Sequence, residues 1–151
     1  MDLVGVLNEA RDDCVQEALD AIGRAHLKHY EASGPELSRR RLDDLFDLVL
    51  ECLAKKNLEP ICDDARRVAQ ERFDVGFDIA EVQSAFNVLE EAIWHLVLAR
   101  LPADELLESA GLVGTVLGTG RDELARTWVS LATSQHVPSL DLTALFEGAA
   151  T

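Results

Sequence analysis

Apolar residues recur along this chain at intervals of three and four for most of its length, which is the signature of amphipathic helices. The clearest run is Asp78 to Arg100, DIAEVQSAFNVLEEAIWHLVLAR. Asp78 is placed to cap its first turn, and Glu81 stands where a reciprocal capping box requires a carboxylate. Phe77 and Val82 have the spacing of a hydrophobic staple. Ile79, Val82, Phe86, Leu89, Ile93 and Val97 form one stripe, and Ala85, Val88, Ala92 and His95 widen it. The pattern predicts a central helix buried on more than one side.

Upstream, Leu3, Leu7, Ala10, Cys14, Ala18, Ala21 and Ala25 make a narrow stripe of small residues, flanked by Val15, Leu19, Ile22 and His26. One helix of about 28 residues over Leu3 to Tyr30, roughly 42 Å long, is expected. Gly34 and Pro35 break it, and Ser33 with Glu36 has capping-box spacing. A second helix carries Leu42, Leu45, Phe46, Val49, Cys52 and Leu53 to the core and ends at Asn57. A third starts near Pro60, lines Ile61, Ala65, Val68, Ala69 and Phe73 on one face, and ends at Gly76. Leu101-Pro102 closes the central helix.

Asp104 to His136 contains Gly111, Gly114, Gly118 and Gly120, each weakening a helix by up to about 1 kcal/mol relative to alanine. Yet Ala110, Val113, Leu117, Gly120, Leu124, Thr127 and Leu131 keep their phase through the glycines, so one long helix, bent near Gly118 to Gly120, is expected. Gly114 and Gly118 share a face and are expected to admit a second backbone. Leu140, Leu142, Leu145 and Phe146 predict a short docked turn in the tail. The fold class is all-α, a globin-like or helical-bundle domain of about five helices with long first and last members. Residues 1–137 form the domain and 138–151 an apolar tail.

Composition narrows the function classes. Hydrophobic residues are 48% and charged residues 28%, as in a folded globule of 151 residues. A net charge of −14 disfavours nucleic acid and anionic membrane, and Arg39, Arg40 and Arg41 are diluted by Glu36, Asp43 and Asp44. Three cysteines, Cys14, Cys52 and Cys62, form no CxxC pair and read as small buried hydrophobes. The acidic N-terminus and the lack of a membrane-length apolar run point to the cytoplasm.

Motifs for catalysis are missing. Glu90 and Glu91 precede His95 by five and four residues, so the Glu-x-x-His pair of a di-iron bundle fails. There is no HExxH, GxGxxG or P-loop. No enzyme activity, metal or resident cofactor is expected. His26 and His29 share a helix face with metal-binding spacing, but two half-exposed histidines at a helix end is the preferred reading. Phe86, Trp94, His95 and Glu91 are the candidate wall of a ligand pocket. There His95 is either a core histidine held by Glu91, the favoured reading, or an axial haem ligand.

Three stretches carry a family resemblance: RRLDDLFDLVLECL (Arg40 to Leu53), ARRVAQERFDVGFDIAEVQSAFNVLEEAIW (Ala65 to Trp94) and GLVGTVLGTGRDELARTWVSL (Gly111 to Leu131). Together they make about three-fifths of the chain similar to the N-terminal sensor domains of RsbR-type stressosome co-antagonists, in particular their divergent actinobacterial relatives. The resemblance implies a globin-like domain without haem that dimerises and serves as an input module for stress or sigma-factor regulation. In that family an output domain usually follows the last helix. None follows here before Thr151, so a free-standing sensor, an adaptor acting in trans, or a part of something longer is expected. No functional residue of the family carries over.

The expected partners are a second copy of the chain and a protein of a stress-signalling or anti-sigma pathway. Leu7, Cys14 and Ala18 of the first helix and Gly114, Gly118 and Leu124 of the last are the candidate dimer interface. The alternative is a sensor that binds haem or an apolar small molecule.

Overall fold

The computed structural model describes residues 2–136, and the predicted turn at Leu140 to Phe146 lies outside them. Seven helices are found among the described residues, and no strand. They are α1 (Leu3–Glu9), α2 (Arg11–Ala25), α3 (Lys28–Ser33), α4 (Pro35–Lys55), α5 (Glu59–Val75), α6 (Ile79–Arg100) and α7 (Ala103–His136).

The all-α class is as expected, and the two extra helices come from the first segment. Ala10 interrupts it between α1 and α2, and His26 takes the left-handed conformation at φ 51° to end α2. Hydrophobic spacing is kept across both breaks, which is why the stripe reads as continuous. The Ser33–Glu36 capping box does not form. Gly34, at φ 86°, stands between α3 and α4 without a side-chain cap, and Ser33 Oγ donates to the His29 carbonyl. Asn57 does not end α4 either. Lys56 takes that place at φ 52°, and Asn57 Oδ1 instead accepts the Glu59 N–H at the start of α5. Gly76 ends α5 in the left-handed region, as its position predicts.

α7 is one helix of 34 residues that runs through all four glycines. It is held because its neighbours cover it. On α5, Ile61 approaches Gly120, Arg66 pairs with Glu123, and Phe73 meets Trp128 edge to face at 5.5 Å. Residue numbers rise together along that seam, so α5 and α7 run parallel. α6 packs antiparallel against α7, with Phe86 at Gly120 and Glu90 at Gly114. On the other side, α2 lies antiparallel to α4, through Arg11 to Asp47 at 2.5 Å and Arg39 to Gln16.

One core joins these layers, from Val6 and Leu7 through Phe46, Val49, Ile61, Phe86, Leu89 and Ile93 to Leu117, Leu124 and Trp128. Gly120 is the glycine that this core demands. A Cβ there would stand 2.8 Å from Phe86 Cε1 and 3.0 Å from Ile61 Cγ1. The expected close approach therefore occurs at Gly120, and it is to side chains. At Gly114 and Gly118 the nearest atoms to such a Cβ are Glu90 Oε1 at 3.7 Å and an Arg121 terminal nitrogen at 3.8 Å, which is ordinary contact.

Candidate functional site

α6 begins with the predicted capping box. The Asp78 carboxylate accepts the Ala80 N–H at 2.8 Å, and Glu81 reaches back to accept the Asp78 N–H at 3.1 Å. Glu81 has a second duty that its sequence position does not announce. It also accepts the His29 N–H at 2.9 Å, with His29 Nδ1 2.7 Å away. His29 stacks on Phe77, ring centroids 4.4 Å apart. One carboxylate, 8% exposed, thus fastens the start of α3 to the start of α6. Burial alone raises its carboxyl pKa, but the two N–H groups and the His29 imidazole outweigh that and hold it below its ordinary value.

His26 and His29 do not share a face. His26 sits at the helix break and pairs with Glu31 at 2.7 Å on the surface, whereas His29 turns inward to Glu81. The expected pair of half-exposed histidines is therefore corrected, because the left-handed His26 breaks the helix that would align them.

The four residues expected to wall a pocket do not converge. Phe86 is buried in the core against Gly120. Trp94 is 40% exposed, and Glu91 and His95 are surface residues. His95 is neither a core histidine nor turned towards a cavity. Its Nδ1 lies 3.0 Å from Glu17 on α2, with Glu91 3.9 Å from the other nitrogen. Hydrogen bonding to Glu17, then the charges of Glu17 and Glu91, raise its pKa. It reads as core in the sequence because it continues the Ala85–Val88–Ala92 line. That line reaches the edge of the covered face at its last turn.

Of the six interface candidates, Leu7, Cys14, Ala18 and Leu124 are core side chains of the single protomer. Burial of the Cys14 thiol pushes its pKa up to about 12, as expected of an inert hydrophobe. Leu7, Cys14 and Ala18 pack within the protomer where α1 and α2 meet α4 and α6, whereas Ala21 is half-buried and Ala25 exposed. Gly114 and Gly118 remain, partly open to solvent.

These two glycines belong to a face that sequence reasoning did not assemble. Leu107, Gly111, Gly114 and Gly118 recur at four, three and four along α7, with Leu107 87% exposed. Alongside on α6 run Asn87, Glu90, Glu91 and Trp94, which border a shallow depression, and one turn on Leu98, 57% exposed. Glu90 joins the two helices by pairing with Arg121 at 2.5 Å. That ion pair lies against Gly114 and Gly118, and Trp94, Leu98 and Leu107 are exposed apolar side chains of the same two helices. Trp94 and Leu98 lie four apart and off both buried lines of α6, a signal present in the sequence.

Among the described residues no three metal-ligating side chains gather, and no helix is long and apolar enough to cross a membrane. A family model, that of the RsbT co-antagonist protein rsbRD N-terminal domain, matches residues 9–136. The comparison with curated proteins returned no match.

Proposed function

The chain belongs to the RsbT co-antagonist protein rsbRD N-terminal domain family, and from that membership we propose a non-enzymatic regulatory domain that works by self-association through the α6–α7 face. Membership carries a role in regulating stress signalling. The finer reading is a globin-like homodimer in the cytoplasm that passes a signal to a protein of a stress-signalling or anti-sigma pathway.

The observation that carries the self-association is the set of exposed apolar side chains on α6 and α7 beside the half-open glycines of α7. Those side chains are Trp94, Leu98 and Leu107, and the Cβ positions of the glycines meet only ordinary contacts within the protomer. Two such faces related by a two-fold axis are self-complementary, the exposed aromatic side chain of one meeting the glycines of the other. Small residues permit the short helix separation that such a fit needs, below the usual 8–10 Å. A signal is then a small change in how the two faces fit, biased by whatever binds the two arrangements unequally.

Sedimentation velocity tests it. The wild-type chain is expected to sediment as a dimer, and Trp94→Glu and Gly118→Leu as monomers with unchanged circular dichroism. Variants that remain fully dimeric remove this face from the interface. The haem alternative has no support in the positions of His95 and Trp94, because neither lines an apolar cavity.

A further inference from the structure

The chain has 28 carboxylates for 14 basic residues, so its arginines are well supplied with partners. Arg11, Arg66, Arg67 and Arg121 each hold a carboxylate oxygen at 2.5–2.7 Å. Among the described residues Arg24, Arg39, Arg40, Arg100 and Arg126 lack so close a carboxylate, and so do two arginines that lie side by side. Arg41 of α4 makes one long side-chain hydrogen bond among the described residues, 3.4 Å to Ser33 Oγ. Arg72 of α5 has Glu71 at 3.2 Å, and Glu71 is already engaged by Arg67 at 2.9 Å.

Both guanidinium groups are drawn to the same ring, each 5.6 Å from the Phe77 centroid, and Arg41 also lies 5.9 Å from that of Tyr30. Cation–π attraction holds each arginine there. It does not neutralise two like charges that share a partly covered site. Burial, then the charge of Arg72, lowers the pKa of Arg41.

Beside the pair is a small cavity of about 60 Å³ between α4, α5 and α6. Arg41, Arg72 and Tyr30 line its polar side, and Val68, Val82, Ala85 and Phe86 its apolar side. Its acidic residues are Asp64, committed to Arg67 at 2.5 Å, and Asp44, which is exposed. The volume is far below the roughly 300–1,000 Å³ of drug-sized ligand pockets, so only a small head group fits.

The geometry points to a binding site for a small oxyanion, a carboxylate or phosphate group held by Arg41 and Arg72, with any short apolar substituent against Val68 and Val82. An anion between two guanidinium groups gains charge-assisted hydrogen bonds and relieves their repulsion. It would also tie α4 to α5 at the point where α3 and α6 meet them. The site lies apart from the α6–α7 face, so the two readings fail independently.

The test is isothermal titration of the full chain with sodium phosphate and, separately, sodium butyrate, against sodium chloride at equal ionic strength. Saturable binding of phosphate or of butyrate is expected, and which one binds identifies the chemistry. Arg72→Gln weakens it by roughly ten- to a hundredfold, the loss of a charged hydrogen bond. Asp44→Asn, an exposed change that leaves folding alone, tightens it by removing a negative charge from the rim. Absence of saturable binding by both anions overturns the proposal, as does an affinity that Asp44→Asn leaves unchanged.

Discussion

At the scale of single residues, identical amino acids in one helix have opposite roles. Gly120 is required, because a methyl group there meets Phe86 Cε1 at 2.8 Å. Gly118 is not required by the protomer, since its Cβ would meet only an arginine tip at 3.8 Å. Gly120→Ala is therefore expected to destabilise the chain by about 1–3 kcal/mol through overpacking. Gly118→Ala gains up to about 1 kcal/mol of helix propensity. Urea unfolding of both variants checks the pair, and equal effects would contradict the assignment.

His95 supplies a second residue-scale prediction. Its pKa is raised by Glu17, so it binds a proton more tightly in the folded chain than in the unfolded one. The stabilisation is full below the unfolded value near 6.5 and is lost as pH rises through the folded value. Thermal melts of the wild type and His95→Gln are expected to differ at pH 5.5 and converge by pH 9. A gap that persists at pH 9 counts against the Glu17 pairing.

Among the elements, the ones legible in the sequence were those whose signals agree at every level. α6 shows its cap, its staple residues and its core stripe in the chain itself. α5 shows its start at Pro60 and its stop at Gly76. α7 is legible through four glycines because its apolar phase never resets. α1 to α3 were not legible as separate helices. The break at Ala10 has no glycine or proline to mark it, and the left-handed turn falls on a histidine.

The candidate site was less legible still. Glu81 was identifiable as a capping residue but not as the acceptor from His29, 52 positions away, because long-range polar contacts leave no local pattern. For the same reason the sharing of Phe77 by Arg41 and Arg72 is visible only in the folded chain. Glu81→Ala should reveal the joint function by stranding the N–H groups of His29 and Asp78 together. The expected cost is about 2–3 kcal/mol at pH 7, against about 1 kcal/mol for Asp78→Ala. Since the Glu81 pKa is depressed, its contribution is present above the unfolded value near 4.3 and lost as pH falls through the folded one. Urea titrations give both numbers, and equal losses would reduce Glu81 to a simple cap.

For the whole molecule, the central claim is that the outward face of α6 and α7, and not the first-helix stripe, joins two copies. Leu7, Cys14 and Ala18 are committed to one protomer's core. What is left at the surface is the half-open glycines of α7 with exposed Leu107, beside exposed Trp94 and Leu98 of α6. Proximity of two copies of that face is directly measurable. In a Cys62→Ser background, where Cys14 and Cys52 stay buried, Gly111→Cys places one reactive thiol on the face. Treatment with a short bismaleimide is expected to convert this chain largely to a covalent dimer, while Glu36→Cys on α4 in the same background remains monomeric on a denaturing gel. Efficient coupling at position 36 with none at position 111 would contradict the account.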